Sequence, residues 1–387
     1  MSRWFVLALA AAIMFADSVG YTLIIPMLPS MARELGLTET WAGIFYASYG
    51  LISLLLYLPF GYVVDRVGER LWLTAGMLAL GLTAVAFSMA SSFWPLLLCR
   101  LAQGAAASAT WAATLPLAAR LADKDQRGLE MSIVPIAFSL GAIGGPALGS
   151  FGQAREPFMY FAVLPFVLAV LAFFVIPDRM AATESPAEHD PPLSLASLRQ
   201  LLSSRLTSAC LVILVSCAAL GAIEMLLPLQ LAQIGWSRQE IGVLFAAWGA
   251  AALICQPLIG AWSDRRGRQE PMILGLLASA VLIPSLFLTL ESQALLVLAL
   301  AVIIALSAAL APSMPLIADG LSHGQAGKAF GFYNVAFSIG IVLGPWLGGY
   351  VTEQIHVFGA ALVLAVPLGL TACALPRFLA SVPLSPS

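Results

Sequence analysis

Three ionisable residues interrupt long apolar stretches of this chain and are the side chains best suited to chemistry. Asp17 and Arg100 lie in the first half, and Glu224 lies in the second half. A charged side chain in the middle of an apolar helix costs roughly 3 kcal/mol on membrane-insertion scales, so its presence indicates a function or an ion pair. Two carboxylates that take up protons and one guanidinium that stays charged are the components of a proton relay.

Asp17 and Arg100 are predicted to form an ion pair. At 1.5 Å per residue, Arg100 lies about 10 Å from the outer end of its apolar stretch, and Asp17 reaches a similar depth. The alternative is that this pair only stabilises the fold. We expect Asp17 to stay ionised beside Arg100 while Glu224 exchanges the proton. A glutamate at such a position also serves, in some proteins, only as a hydrogen-bonding group between helices.

The composition predicts that these residues lie in a membrane. The chain of 387 residues is 60% hydrophobic and only 10% charged, whereas soluble proteins carry about 25% charged residues. A helix needs roughly 20 apolar residues to span a bilayer. We therefore predict an all-α membrane protein with twelve transmembrane helices, spans 1 to 12, at residues 4–28, 41–64, 71–90, 93–119, 129–152, 157–177, 206–232, 241–263, 271–290, 294–318, 329–351 and 355–376.

A repeat divides the twelve spans into two sets of six. Landmark residues recur 199 positions later: Pro29 as Pro228, Gly43 as Gly242, Pro116 as Pro315, and Gly145-Pro146 as Gly344-Pro345. The two halves therefore run in the same direction through the membrane. The predicted organisation is a six-helix bundle at 1–177, a cytoplasmic linker at 178–205 and a second six-helix bundle at 206–387. The binding cavity is expected between spans 1, 4, 7 and 10.

The distribution of positive charge predicts the orientation of the chain. Of its 18 Lys and Arg residues, fourteen fall on the cytoplasmic side if the N-terminus is inside, while Arg33, Arg155 and Arg238 fall outside and Arg100 lies within a span. This bias follows the positive-inside rule. We expect both termini to be cytoplasmic and the protein to lie in a bacterial inner membrane.

Two short loops carry glycine and aspartate at matching positions. Residues 61–70 read Gly-Tyr-Val-Val-Asp-Arg-Val-Gly-Glu-Arg, and residues 260–268 read Gly-Ala-Trp-Ser-Asp-Arg-Arg-Gly-Arg. Gly61 and Gly260 are expected to let two helices approach closely, and the second glycine of each loop is expected to permit a tight turn. The alternative is a basic turn that only sets the topology.

These loops resemble the Gly-x-x-x-Asp-Arg-x-Gly-Arg-Arg motif of the major facilitator superfamily, with Glu69 where the family often has a basic residue. The resemblance covers the whole chain and implies the major facilitator fold, a parallel tandem repeat of two six-helix bundles. In that family the loop is a conformational latch. By resemblance, the gating residues are Gly61, Asp65, Arg66, Gly68, Arg70, Gly145, Pro146, Asp264, Arg265 and Gly267.

Spans 4 and 5 resemble two further motifs of the superfamily. The segment from Arg100 to Gly104 resembles its Arg-x-x-Gln-Gly motif, in which the arginine takes part in proton coupling. Residues 141–149 resemble the Gly-Pro motif of its proton antiporters, with Ser150 in place of the usual second glycine. This resemblance implies export. Tight packing of small residues is the alternative explanation for span 5.

The acids of spans 1 and 7 resemble those of the drug/proton antiporters and vesicular amine transporters. Asp17 lies twelve residues before Pro29, and Glu224 lies four before Pro228, but Asn334 stands where relatives often have another acid. The resemblance implies a proton-coupled antiporter that exports lipophilic, cationic small molecules by alternating access. Asp17, Arg100 and Glu224 would couple the proton. The substrate would contact Asp17, Tyr21, Trp111, Phe138, Glu224, Trp248, Tyr333, Asn334 and Phe337, although packing or lipid contact is the alternative for any single aromatic residue.

Other energy sources and activities lack a motif. The sequence has no Gly-x-x-x-x-Gly-Lys-Ser/Thr loop that would bind ATP, and its cysteines show no metal-ligand spacing. We expect no enzyme activity, cofactor, metal or nucleic acid. The expected partners are a small-molecule substrate, protons and the lipid bilayer, and the expected state is a monomer. The alternatives are an exporter or uptake symporter for a neutral or zwitterionic metabolite, and a non-transporting membrane sensor of transporter fold.

Overall fold

A computed structural model describes residues 3–121, 127–177, 204–290, 294–319 and 326–380. All regular structure in these ranges is helical. The first repeat contains α1 (Arg3–Thr22), α2 (Leu28–Leu35), α3 (Glu39–Val67), α4 (Glu69–Met89), α5 (Phe93–Leu121), α6 (Arg127–Gly149) and α7 (Glu156–Val175). The second contains α8 (Ser204–Gln233), α9 (Arg238–Arg266), α10 (Gln269–Leu288), α11 (Leu295–Leu310), α12 (Ser313–Ala318), α13 (Ala326–Gln354) and α14 (Val357–Ala380).

The prediction of an all-α protein with twelve spans is confirmed. Eleven segments of the described chain are long and apolar enough to cross a membrane, with α1–α2 and α11–α12 each counted as one segment. The twelfth, α5, is 29 residues long. It is less hydropathic because Arg100 and Gln103 interrupt its apolar run. In a bilayer, where backbone groups find no water, helices satisfy all backbone hydrogen bonds within one segment.

Helices α3 and α9 begin and end in the same register of the two repeats. Helix α3 (Glu39–Val67) and helix α9 (Arg238–Arg266) are both 29 residues long, and their ends differ by the repeat offset. Gly36 precedes α3 with φ +63°, and Gly235 precedes α9 with φ +95°. The repeat predicted from landmark residues is therefore present at the level of individual turns.

Equivalent N-terminal caps start these two helices. The Thr38 hydroxyl accepts a hydrogen bond from the Trp41 amide at 3.4 Å. At the same register, the Ser237 hydroxyl accepts from the Glu240 amide at 3.3 Å, and the Glu240 carboxylate accepts from the Ser237 amide at 2.7 Å. This reciprocal pair is a capping box, which satisfies backbone donors that the first helical turn leaves without partners.

The chain divides into two compact units. Unit 1 comprises Met1–Ala181 and Leu227–Leu253, and unit 2 comprises Ala182–Leu226 and Ile254–Ser387. The predicted linker at 178–205 lies outside the described residues except for its last two positions. The predicted bundle boundaries therefore remain a prediction.

The first span contains a break that the apolar pattern did not predict. Helix α1 ends at Thr22, a 3₁₀ turn covers Ile25–Met27, and α2 follows with Pro29 near its start. Proline is tolerated in the first turn of a helix, where its missing N–H has no acceptor to lose. The equivalent Pro228 lies inside α8, which continues to Gln233. The same residue type therefore begins a new helix in one repeat and lies within a continuous helix in the other.

Glycines allow close helix contacts that recur in both repeats. A Cβ on Gly141 of α6 would overlap the Phe15 carbonyl oxygen of α1, while a Cβ on Gly340 of α13 would lie 2.5 Å from the Leu214 carbonyl oxygen of α8. Both contacts lie at the repeat offset. In unit 1, a Cβ on Gly104 would also overlap the Tyr49 carbonyl oxygen. Such contacts replace hydrophobic burial as the main attraction between helices in a membrane.

Replacing Gly104 by valine should therefore destabilise unit 1. The added side chain forces α5 away from α3, and overpacking of this kind costs roughly 1–3 kcal/mol. Thermal unfolding of the detergent-purified variant should show an apparent unfolding temperature several degrees below that of the unchanged protein. Gly331→Ala is the matched control, because a Cβ at Gly331 meets no atom within 4 Å. Equal unfolding temperatures for Gly104→Val and the unchanged protein would contradict the close contact.

Candidate functional site

Asp17 lies in the core of unit 1 and is 1% exposed. Its carboxylate accepts a hydrogen bond from the Trp111 indole N–H at 2.7 Å and from the Tyr49 hydroxyl at 3.5 Å. Both donors are neutral. A carboxylate that is removed from water and held by two neutral donors is poised to change its protonation state when its surroundings change.

Arg100 is fully buried on α5 and has few acceptors. One of its terminal nitrogens donates to the Gln103 side-chain oxygen at 3.1 Å and to the Gly20 carbonyl oxygen at 3.4 Å. The guanidinium carbon lies 4.9 Å from the centroid of the Tyr49 ring, which is a cation–π contact. The remaining Arg100 nitrogens have no hydrogen-bond partner among the described residues. The positive charge is therefore stabilised mainly by dipoles and by an aromatic face.

The predicted ion pair between Asp17 and Arg100 is wrong. In the part of the chain that the structure describes, Asp17 forms no salt bridge, and its partners are Trp111 and Tyr49. Similar depth in the membrane did not imply contact, because the two side chains point to different places. Trp111 lies eleven residues beyond Arg100, or about 16 Å along α5. Asp17 is directed towards Trp111, and Arg100 towards the Gly20 carbonyl.

An aromatic and apolar cluster lies next to Asp17. The Trp111 and Phe138 rings meet edge to face with centroids 5.1 Å apart. Both rings pack against a buried core of Leu7, Met14, Ala118 and Val134. Tyr21, one helical turn further along α1, packs on Tyr49 at 5.1 Å. Unit 1 thus brings together the predicted residues Asp17, Tyr21, Arg100, Trp111 and Phe138.

Tyr49 joins this group and was not among the predicted site residues. It is the one side chain that contacts Asp17, Arg100 and Tyr21 at once among the described residues. The sequence does contain a signal: Tyr46 and Tyr49 stand three residues apart in span 2, so they share a helix face. Two tyrosines on one face of an apolar helix indicate polar partners on a neighbouring helix.

The predicted substrate residues of the second repeat are more dispersed. Trp248 belongs to unit 1, stacks on Phe245 at 5.8 Å, and leaves its indole N–H without a hydrogen-bond partner among the described residues. In unit 2, the Tyr333 hydroxyl lies 2.8 Å from the Ser313 hydroxyl. Asn334 and Phe337, on the same helix α13, are exposed. Tyr333 therefore faces the interior of unit 2, whereas Asn334 and Phe337 face outwards.

Glu224 lies on α8 in unit 2 and is half-buried. It stands seven residues, or two helical turns, after the buried Cys217, so both residues lie on one face of α8. Asp17, by contrast, is almost fully covered. Glu224 is therefore the more accessible of the two intramembrane acids.

The two predicted latch loops have the expected turns but not the expected close contacts. Gly68 and Gly267 adopt φ +93° and +91°, a conformation that residues with a side chain avoid. A Cβ on Gly61 or Gly260, however, would meet nothing within 4 Å. The prediction that these two glycines allow close helix approach is therefore wrong, because the helix surface there is open. The side chains of Asp65 and Arg66 lie outside the described residues.

An ion pair follows each latch turn, and its polarity is inverted between the repeats. In unit 1, Glu69 at the start of α4 pairs with Arg120 at the end of α5. In unit 2, the positions 199 residues later are Arg268 and Asp319, which pair at 3.0 Å. Glu69, which departs from the family motif, thus forms an ion pair with Arg120, and Arg268 occupies its position in the second repeat. The first pair joins a latch turn to the end of α5, and the second joins a latch turn to Asp319, the residue that follows α12.

Further contacts hold the remaining latch residues. Arg268 also pairs with Asp264 and donates to the Ser263 hydroxyl at 2.8 Å. Partial burial lowers the pKa of Arg268, but hydrogen bonds to Asp319 and Asp264 raise it more, so the guanidinium stays charged. The Arg70 guanidinium lies 4.5 Å from the centroid of the Phe173 ring. Arg265 is exposed.

The Gly-Pro segment of α6 packs against α9 within unit 1. A Cβ on Gly242 of α9 would overlap the Ser150 side chain and lie 2.8 Å from the Pro146 carbonyl oxygen. Arg238 donates to the Gly149 carbonyl at 2.6 Å and to the Ala154 carbonyl at 2.9 Å. The Gly149 carbonyl lies in the last turn of α6, where carbonyls have no intrahelical donor, and the Ala154 carbonyl lies beyond the helix. The predicted gating residue Pro146 therefore lies at a helix contact, as does Gly145, on which a Cβ would overlap the Thr22 hydroxyl.

Twelve apolar helices in two repeats, with a charged core inside the first, define a membrane carrier and not an enzyme. The family model described as Major Facilitator Superfamily matches residues 10–232 and again residues 209–387. The chain belongs to this superfamily. It is a transporter and an integral membrane protein.

Relatives and solved structures cover nearly the whole chain. Multidrug resistance protein 2 of Bacillus subtilis (strain 168) is 26% identical over 370 residues, 92% of each chain. Multidrug resistance protein MdtG of Proteus mirabilis (strain HI4320) is 26% identical over 373 residues, 90% of each chain. A bacterial homolog of the human lysosomal transporter Spinster, in an inward-facing and occupied conformation, superposes with a TM-score of 0.86 at 14% identity, covering 100% of this chain and 99% of that one. A D-xylose-proton symporter superposes with a TM-score of 0.80 at 16% identity, covering 97% and 98%.

Breaking the ion pair between Glu69 and Arg120 should slow transport. Rebuilding the pair with the two charges exchanged should recover the rate. Glu69→Arg places two arginines together, and losing a partly exposed pair costs about 1 kcal/mol, or roughly a fivefold change in rate. The double variant Glu69→Arg/Arg120→Asp reproduces the arrangement of Arg268 and Asp319. Initial flux in proteoliposomes measures both effects. A double variant as slow as Glu69→Arg would show that the pair itself is unimportant.

Proposed function

We propose that this transporter is a proton-coupled antiporter that exports lipophilic, cationic small molecules by alternating access. The observation that carries the proposal is a buried carboxylate, Asp17, held by neutral donors beside the aromatic and apolar cluster around Trp111 and Phe138. The similarity to multidrug resistance proteins supports export of such compounds. The Gly-Pro segment of α6 supports antiport by resemblance.

Proton coupling is assigned to Asp17, Arg100 and Glu224. Because Arg100 does not contact Asp17, an ion pair no longer provides a reason for Asp17 to stay ionised. An ionised carboxylate in an apolar core is costly, and two neutral donors offset only part of this cost. Proton uptake at Asp17 removes the charge. Asp17 therefore exchanges a proton in this proposal, as does Glu224, while Arg100 keeps its charge and acts on Asp17 through Tyr49.

The substrate meets aromatic surface before it meets the buried acid. Trp111 and Phe138 are half-buried, whereas Asp17 is almost fully covered. An organic cation attracted by the carboxylate would contact these rings and gain cation–π energy from them. Glu224, the more accessible acid, is the proposed site for which proton and cation compete. Competition for one carboxylate is sufficient for antiport, because either ligand displaces the other.

A neutral or zwitterionic substrate is the second candidate. Asn334 on α13 is exposed and stands where amine-handling relatives often have an acid. An amide both donates and accepts hydrogen bonds, so it suits an uncharged polar group better than a cation. Transport of such a substrate would use the same proton-coupling residues.

The proposed setting is a bacterial inner membrane, with both termini in the cytoplasm and the protein acting as a monomer. The basis is the excess of Lys and Arg in the loops assigned to the inner side. The paired charges Glu69 and Arg120, and Arg268 and Asp319, lie at that side in this orientation.

Neutralising the acids should abolish proton-driven transport without unfolding the protein. Asp17→Asn and Glu224→Gln keep side-chain size but cannot release a proton. In proteoliposomes with an imposed pH gradient, the flux of a lipophilic cation such as ethidium should fall by about tenfold or more in each variant. Glu39→Gln, at the N-terminal end of α3, is the control for loss of an acid outside the spans. Full proton-driven flux in both Asp17→Asn and Glu224→Gln would remove the basis of the coupling assignment.

Affinity for a cation should fall as the pH is lowered. Protons neutralise the acids that attract the cation, so binding of ethidium to purified protein should weaken by about tenfold for each pH unit once the shared acid is protonated. Glu224→Gln should bind weakly at every pH. Fluorescence titration of detergent-purified protein measures this. Tight binding of an organic anion that Glu224→Gln leaves unchanged would instead exclude a cationic substrate.

A further inference from the structure

Tyr49 contacts both Asp17 and the Arg100 guanidinium, the acid and the cation of the proposed proton relay. Its hydroxyl donates to Asp17 at 3.5 Å, and its ring face lies 4.9 Å from the Arg100 guanidinium carbon. The side chain is 7% exposed. One end of a single aromatic residue therefore contacts the carboxylate, and its face contacts the cation. This placement gives Tyr49 a direct influence on both charges.

The backbone of Tyr49 is held firmly in place. Gly104 of α5 packs so closely that a Cβ there would overlap the Tyr49 carbonyl oxygen. The Ser53 hydroxyl donates to the carbonyl oxygens of Tyr49 and Gly104, both at 2.9 Å. The Ser108 hydroxyl donates to the Ser53 carbonyl oxygen at 3.3 Å. Because α3 and α5 cannot move apart here without breaking these bonds, the tyrosine ring has a fixed position from which its hydroxyl reaches Asp17.

The second repeat lacks the charges and the tyrosine hydroxyl together. The positions 199 residues after Asp17, Tyr49 and Arg100 are Ser216, Trp248 and Ala299. Those after Gln103 and Trp111 are Val302 and Leu310. The Gly104 contact that holds the Tyr49 backbone is also missing from the second repeat, where Ile303 stands at the equivalent position. The tyrosine hydroxyl at this position occurs only in the repeat that has Asp17 and Arg100, which indicates that its role is to interact with these two charges.

We propose that Tyr49 is a positioning residue whose hydrogen bond to Asp17 changes direction with the protonation state of that acid. Its ring lies against Arg100 and keeps the guanidinium from forming an ion pair with Asp17. When Asp17 is ionised, the Tyr49 hydroxyl donates to it and stabilises the charge. When Asp17 is protonated, the acid has its own O–H to donate and the tyrosine oxygen accepts, so the hydrogen bond reverses. The ring face meanwhile stabilises Arg100 by a cation–π contact. This inference rests on the proposed proton coupling at Asp17.

The charged and titratable groups that act on this arrangement are few. Tyr49 on α3 interacts with Asp17, with Tyr21 on α1 and with Arg100 on α5, and Arg100 also interacts with Tyr21 and Tyr46. Of these, only Tyr49 is hydrogen bonded to the carboxylate; the other bond comes from Trp111, which does not titrate. Removal of the Tyr49 hydroxyl therefore changes the surroundings of Asp17 without adding or removing a charge.

Tyr49→Phe tests the inference, because it removes the hydroxyl and keeps the ring beneath Arg100. The ionised acid loses a donor, so it holds its proton to higher pH. The pH at which proton-driven ethidium flux is half-maximal should rise by about half a unit to one unit. Tyr57→Phe is the matched control, because it makes the same change two turns further along α3 and should leave the profile unchanged. Gel filtration in detergent reports whether each variant is folded.

The outcomes separate this inference from the proposed function. Loss of flux in Asp17→Asn together with a shifted profile in Tyr49→Phe supports both. Loss of flux in Asp17→Asn with an unshifted Tyr49→Phe profile overturns the role of Tyr49 and leaves the coupling at Asp17 intact. Full proton-driven flux in Asp17→Asn overturns both. If Tyr49→Phe is not folded, Tyr49→Leu also removes the hydroxyl without adding another donor, and the half-maximal pH should rise in the same direction.

Discussion

The absence of water inside a bilayer is the constraint on which this structure depends. Backbone polar groups within a span must find their partners in the protein, so the spans are helical and their helices meet at small residues. The same constraint gives a buried charge great influence, since few dipoles surround it. Asp17 has two neutral donors, and Arg100 has one side-chain oxygen, one carbonyl and one aromatic face, so the polar network around these two charges is sparse.

The two repeats share a scaffold but not a chemistry. The ends of α3 and α9, the turn glycines and the contacts of Gly141 and Gly340 recur at the same offset. The polar network occurs in the first repeat, while the corresponding residues of the second are small or apolar apart from Ser216 and Trp248. Packing at small residues determines the distance between two helices. It does not depend on which side chains occupy other positions along those helices. A buried acid and a buried arginine in one copy are therefore compatible with the fold that both copies use.

The sequence predicted the parts of this structure that depend on one-dimensional patterns. Apolar runs located the helices, and the offset between Pro29 and Pro228 located the repeat. It did not predict properties that depend on direction in space. Depth along a helix placed Asp17 and Arg100 at one level, but the direction of each side chain is set by packing that only the folded chain defines. For the same reason Gly61 was expected at a close contact and lies in open space, while Tyr49 was overlooked among apolar neighbours.

The inverted ion pairs have a consequence for the history of the gene. Two copies that began alike now hold Glu69 with Arg120 and Arg268 with Asp319. No single substitution leads from one arrangement to the other without placing two like charges together, so the change passed through a neutral residue or through a destabilised protein. Recombination between the halves meets the same obstacle. A crossover between the two positions would join two acids or two arginines, and such a chimera would be selected against, so the inverted pair preserves the divergence of the two halves.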